Sequence, residues 1–286
     1  MKALARKRIW ALAAAAAMLA LAAALMAGCS GGSNESQSAG GDEAASAESG
    51  EFTLTVGFDQ GYPPYGFVGD DGEYTGFDLD LAAEVAERNG WNLELSAIDW
   101  DAKDALLSSG SINCIWNGFT MEDREDDYTF SEPYMLNEQV IVVKSDSGIA
   151  DSAALAGKTV MTQVDSAALD VLEGDAADLA ATFAGGAPQT ISDYNNAFMQ
   201  LESGMVDAVA CDLSIANYQM SAKPDTYTII DTLSSEHYAV GFKQGDEDLA
   251  ATVTATLKAM YEDGTVQELC DKYAEYGLSF DNWVLK

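Results

Sequence analysis

Two successive runs of alternating strand-like and helix-like segments constrain this chain more than any other feature of its 286 residues. In the first, Phe52 to Phe58 alternates β-branched and other residues and reads as a strand. Phe77 to Asn89 places Phe77, Leu81, Val85 and Ala86 along one helical face before Asn89-Gly90 stops it. Strands follow at Leu93 to Ala97 and Ile112 to Trp116, with a short helix after Trp100. An irregular stretch from Asn117 to Asn137 then leads to a strand at Gln139 to Val143. The second run begins at Lys158: a strand, a helix from Ser166, a strand near Thr182, a helix from Asp193, a strand at Val206 to Cys211 and a helix from Leu213. Strands at Tyr227 to Ile230 and Tyr238 to Phe242, and helices over Asp248 to Asp263 and Thr265 to Tyr276, complete the chain. Such alternation predicts an α/β fold of mainly parallel sheets covered by helices. Two runs predict two lobes, with a ligand cleft at the carboxyl ends of the strands.

Composition narrows the function. A hydrophobic content of 48% is ample for a buried core. With 14 Lys and Arg against 47 Asp and Glu, the net charge of −33 repels polyphosphate and excludes nucleic acid as a partner. The same field disfavours anionic ligands. No Ser/His/Asp set, Walker loop, HExxH motif or His-centred acid–base pair is present, so the chain reads as a non-enzyme without a cofactor. The single histidine, His237, reads as a hinge or surface residue.

The N-terminus reads as an export signal. Lys2, Arg6, Lys7 and Arg8 precede an uncharged run from Ile9 to Ala27 that ends in Leu25-Met26-Ala27-Gly28-Cys29. The ending resembles the bacterial lipobox, which implies cleavage before Cys29, diacylation of that cysteine and attachment to the membrane from outside the cytoplasm. Two acyl chains suffice for stable attachment. Residues 1–28 are then the lipoprotein signal peptide, and their removal takes away four cations and no acid. Residues 29–50, rich in Gly, Ser and acids, cannot bury enough apolar surface to order themselves and read as a flexible tether. Cys114, Cys211 and Cys270 remain, with no spacing that suits a metal, and the sequence leaves open whether any two form a disulfide.

From Glu51 onward the chain resembles the type II, amino acid-binding family of ABC-transporter solute-binding proteins. The resemblance is carried, in order, by Val56-Gly57-Phe58-Asp59 with Tyr62-Pro63-Pro64-Tyr65, by Gly76-Phe77-Asp78-Leu79-Asp80-Leu81, and by Asn117-Gly118-Phe119-Thr120 followed by Arg124. Phe130-Ser131-Glu132-Pro133-Tyr134, Gly157-Lys158-Thr159-Val160 and Gly204-Met205-Val206-Asp207-Ala208 leading to Asp212 complete the set. It implies a two-lobed periplasmic-binding-protein type II fold with two hinge crossovers, near Lys144 to Asp146 and Ser235 to Tyr238. Residues 51–143 plus 239–286 would form one lobe and 144–238 the other.

The resemblance also implies roles. A zwitterionic ligand needs a partner for each charge it loses from water. Arg124 would grip the carboxylate with its planar fork, with Ser166 meeting the same group from the second lobe. Asp212 would take the ammonium; its alternative is to cap the helix from Leu213. Asn117, Gly118 and Thr120 would supply first-lobe polar contacts, Tyr62 and Trp100 would sandwich the ligand, and Asp59 would read side-chain donors. Asp165 stands where Gly is commoner, adding a negative charge near the carboxylate site. Gly76-Phe77-Asp78 reads as structural. The implied activity is capture of an amino acid and delivery to an ABC permease by a monomer. A ligand-sensing input to a signalling partner and a dehydratase-like enzyme are the alternatives.

Overall fold

Period-two alternation and glycine stops set most element boundaries. The computed structural model describes residues 52–286. In chain order they form β1 (Thr53–Phe58), β2 (Gly61–Tyr62), β3 (Gly66–Val68), β4 (Tyr74–Thr75), α1 (Phe77–Asn89), β5 (Asn92–Ala97), α2 (Lys103–Ser109), β6 (Cys114–Ile115), β7 (Tyr128–Phe130) and β8 (Met135–Lys144). Then come β9 (Val160–Gln163), α3 (Ala167–Glu173), α4 (Ala177–Ala180), β10 (Gln189–Ile191), α5 (Tyr194–Ser203), β11 (Ala208–Asp212), α6 (Leu213–Ala222), β12 (Tyr227–Tyr238), β13 (Gly241–Lys243), α7 (Glu247–Glu262) and α8 (Thr265–Lys272). Helix α1 starts and stops where its apolar stripe does: Phe77, Leu81, Val85 and Ala86 are buried, and Gly90 closes it in the left-handed conformation.

Two five-stranded sheets result, in the order β5-β1-β6-β13-β7 and β10-β9-β11-β8-β12, with β2-β3-β4 as a small third sheet. Each large sheet mixes parallel and antiparallel neighbours. Apolar side chains are buried on both faces. Ile141, Val143, Ala208 and Ala210 pack under α3, while Val140, Val142, Val209 and Cys211 face the larger core. Cys114, Cys211 and Cys270 are free and buried. The expected signal peptide and tether, with Cys29, lie outside the described residues. No helix among the described residues is long and apolar enough to cross a membrane.

Three expectations are corrected. The strand foreseen near Thr182 is instead the turn that follows a short Ala-rich helix, as alanine prefers, and the strand is β10, which begins seven residues later. The stretch Asn117 to Asn137 is not wholly irregular, since it holds β7 and the first residues of β8. The whole of β8 belongs to the second sheet, between β11 and β12. The first crossing between lobes therefore lies just before Met135 rather than at Lys144 to Asp146, and 135–143 leaves the first lobe. The return runs from β12 through Ala239-Val240 into β13.

Candidate functional site

The carboxyl ends of β1, β6, β9 and β11 converge on the cleft between the sheets. There they form a narrow, partly open pocket lined by Tyr62, Trp100, Asn117, Gly118, Phe119, Thr120, Arg124, Gln163, Ser166, Ala167 and Asp212. Eight of the nine residues singled out from the sequence meet here; Asp59 stands behind the lining.

The first-lobe wall follows β6. Gly118 adopts φ 58°, and a Cβ there would come within 3.0 Å of the rings of Tyr62 and Tyr238, so the turn needs glycine. Its N–H donates to Asp78 Oδ2 at 2.6 Å, and Tyr134 donates to the same oxygen at 2.8 Å. Asp78, fully buried at the start of α1, thus ties that helix to the site loop. Burial raises its pKa to about 7. Asn117 Oδ1 accepts from the Asp59 N–H at 2.9 Å.

Arg124 projects over the Phe119 ring, 5.0 Å from its centre, with a side chain only 13% exposed. Its Nη2 lies 2.6 Å from Asp170 Oδ2 of α3, so a second-lobe carboxylate already engages the guanidinium. Trp100 meets Phe119 edge-on at 5.7 Å and donates to the Asp165 carbonyl across the cleft at 3.0 Å. Asp165 does not stand alone: its carboxylate lies 3.6 Å from the buried ammonium of Lys103, whose pKa burial lowers.

On the second-lobe wall, Ser166 caps α3 by accepting from the Leu169 N–H and donates to the Gln163 carbonyl at 2.8 Å, so its hydroxyl is engaged within its own lobe. Asp212 precedes α6 but makes no side-chain cap. Its Oδ1 instead accepts from Gln139 Nε2 at 2.6 Å, Tyr238 at 2.9 Å and Asn137 Nδ2 at 3.0 Å, and burial raises its pKa. Tyr62 shares a hydrogen bond with Tyr238 at 3.1 Å. The Thr120 hydroxyl donates to Glu236 at 2.8 Å. Asp59 accepts from Gln163 Nε2 at 2.7 Å, joining the lobes, and its pKa is raised mainly by burial. His237 Nδ1 lies 2.6 Å from Glu122 Oε1.

Sequence reasoning missed Gln163, Phe119 and Ala167 in the lining, Asp170 on Arg124, and Glu236 with its amide partners Asn137 and Gln139. A polar residue closing a buried strand, as Gln163 does in Val160–Gln163, was the available signal. Among the described residues no group of three or more His, Cys, Asp or Glu is placed to hold a metal ion.

Residues 54–276 match the model of the bacterial extracellular solute-binding proteins, family 3. The L-cystine-binding protein TcyJ of Escherichia coli K12 is 30% identical over 225 residues, covering 77% of this chain and 82% of that protein. A substrate-binding protein of an ABC uptake transporter from Streptococcus pneumoniae, crystallised with bound histidine, superposes with a TM-score of 0.75. It is 35% identical and is matched over 77% of this chain and 92% of its own. An enzyme also shares the sequence: membrane-bound lytic murein transglycosylase F of Desulfosudis oleivorans is 28% identical over 211 residues, 72% of this chain but only 45% of the longer relative. The span of the family match and the likeness in both sequence and structure place this chain among the bacterial extracellular solute-binding proteins, family 3.

Proposed function

We propose that this protein captures an amino acid between its lobes and delivers it to an ABC permease, without chemical change to the ligand. The observation that carries the reading is one pocket bounded by a guanidinium, Arg124, and a carboxylate, Asp212. A zwitterion desolvated there finds a partner for each charge. Arg124 takes the ligand carboxylate, Asp212 its ammonium, and Asn117, Gly118, Thr120 and Ser166 lie within the same lining. Tyr62 and Trp100 provide apolar walls with some cation–π attraction. Asp59 acts on side-chain donors through Gln163, to which it is bonded. Relatives named for cystine and histidine binding support the ligand class. Ligand contacts from both lobes bias the hinge toward closure. Cys29 anchors the protein outside the cytoplasmic membrane, and it works as a monomer.

A thermal-shift screen of the purified body against the common amino acids and cystine tests this. A ligand at a hundred times its Kd stabilises by about 2.7 kcal/mol. In a chain of this size that raises the melting temperature by roughly 5–10 °C. If no amino acid moves the transition, the amino-acid reading is wrong.

A further inference from the structure

Strand order brings a second carboxylate to the ammonium end of the cleft. In the second sheet β8 lies between β11 and β12, and the register sets Asp212 opposite Gln139 and Glu236 opposite Asn137. Because side chains alternate along a strand, Asn137 and Gln139 share one face of β8. Their two amide nitrogens therefore sit between the acids, and each donates to both: to Asp212 Oδ1 at 3.0 and 2.6 Å, and to Glu236 Oε1 at 2.8 and 2.7 Å. Thr120 and Tyr238 add a hydroxyl donor to Glu236 and Asp212 respectively. All six bonds end on Oδ1 of Asp212 or Oε1 of Glu236; none reaches Oδ2 or Oε2. The acids are 4% and 3% exposed. Among the described residues neither forms an ion pair with a lysine, arginine or histidine.

Two buried carboxylates on shared donors without a counter-ion cannot both stay ionised cheaply. Amide hydrogens ease the charge but do not neutralise it. What the pair lacks is a cation with several N–H donors, which is what a protonated primary amine offers.

We propose that Glu236 is a second carboxylate of the ammonium site, so that a ligand's protonated amine is held by the Asp212–Glu236 pair and displaces a proton from it. The inference rests on the amino acid-binding reading above and adds to it a residue and a selectivity. The displaced proton passes to the buffer, and the amine keeps its own three. The site favours neutral and cationic amino acids over those with an acidic side chain, which would meet uncompensated negative charge beside the cavity.

The phenols and the thiol packed around the pair stay protonated and do not take up that proton. Tyr62, Tyr194 and Tyr238 face Asp212 with phenols that burial pushes well above their ordinary value, and Tyr65 lies beside Tyr238 with its phenol raised likewise. Cys211, next to Asp212, is raised for the same reason. Arg124 lies on the same lining, and the Glu122–His237 contact sits beyond Thr120. Glu236 itself is raised to about 7 by burial and by Asp212, which sets the pH window.

Calorimetric titration of the wild-type protein with L-arginine, L-glutamine, L-cystine and L-histidine tests the proposal in two buffers of different ionisation enthalpy, with the imidazole proton of histidine subtracted. At about pH 6 binding should release close to one proton, and at about pH 8 nearly none; Kd should tighten roughly tenfold between them. Glu236→Gln should remove most of the release and of the pH dependence, because Asp212 without a like charge beside it ionises at lower pH. His237→Gln should leave both intact. Binding to wild type without proton release at about pH 6 overturns this inference alone, whatever the variants do. Absence of binding by all four amino acids overturns it together with the reading on which it rests.

Discussion

Replacing Arg124 by alanine removes the only guanidinium that lines the cavity among the described residues. The side chain is 13% exposed, so its charge is largely desolvated before any ligand arrives. Removing one partner of a buried charge pair costs roughly 3–5 kcal/mol. Arg124 is not unpaired in this structure, however, because Asp170 holds Nη2 at 2.6 Å. Asp170 is 57% exposed, and an exposed pair is worth about 0.2–1 kcal/mol, which a ligand carboxylate must displace or share. The net loss for Arg124→Ala is then about 2–4 kcal/mol, or roughly 30- to 700-fold in Kd. Arg124→Lys should not restore binding, since an ammonium lacks the two-pronged fork. Asp170→Asn should tighten binding by up to about fivefold by removing the internal competitor. Calorimetry gives the affinities, far-UV circular dichroism checks folding, and small-angle scattering with the identified ligand reports closure. An Arg124→Ala protein that binds and closes like wild type would reduce Arg124 to a surface cation among acids. An Asp170→Asn protein that binds as poorly as Arg124→Ala would make the pair a lobe latch and refute the competitor argument.

Other expectations bear on stability and attachment. Asp78 and Glu236 have pKa values raised to about 7 against about 4 in an unfolded chain, so the native state holds protons that the unfolded chain gives up. The stabilisation is present at low pH and lost as pH climbs from about 4 through about 7, so the ligand-free protein should melt at a higher temperature at about pH 5 than at about pH 8. Asp78→Asn, which keeps an acceptor for Gly118 and Tyr134, should flatten that trend; a wild-type melting temperature that rises with pH would show that Asp78 and Glu236 ionise normally. Cys29→Ser should release the protein from the membrane fraction, and retention through washing would replace the lipid anchor by another attachment.

What the sequence disclosed follows the reach of each signal. Helix α1 was legible to the residue because its stripe and its stop, Gly90, lie within one segment. Eight lining residues were legible because they sit at strand ends or in the turns that follow, where the order of motifs along the chain is enough. The strand near Thr182 was misplaced because alanine-rich sequence carries little period-two signal, while β10 is only three residues long and two of them are polar. Asp78 looked structural from its place at a helix start, and so it is; but the element it braces, the Gly118 turn, lies forty residues away and forms the cleft wall.

The hinge boundary and the second carboxylate were hidden by a single cause. Asn137 and Gln139 interrupt the apolar pattern of β8, so its first residues read as loop and the strand as a short segment ending the first lobe. Polar side chains in a central strand are costly unless bonded, and their cost is offset here by acids on both neighbouring strands. The polar pair at alternate positions is thus a signature of the Asp212–Glu236 arrangement rather than of a loop. It becomes readable only with the order β11-β8-β12, because Glu236 reaches the cleft through a partner 99 residues earlier in the chain. Function is expected where local pattern and buried pairing disagree, and in this chain that place is the proposed ammonium end of the cavity.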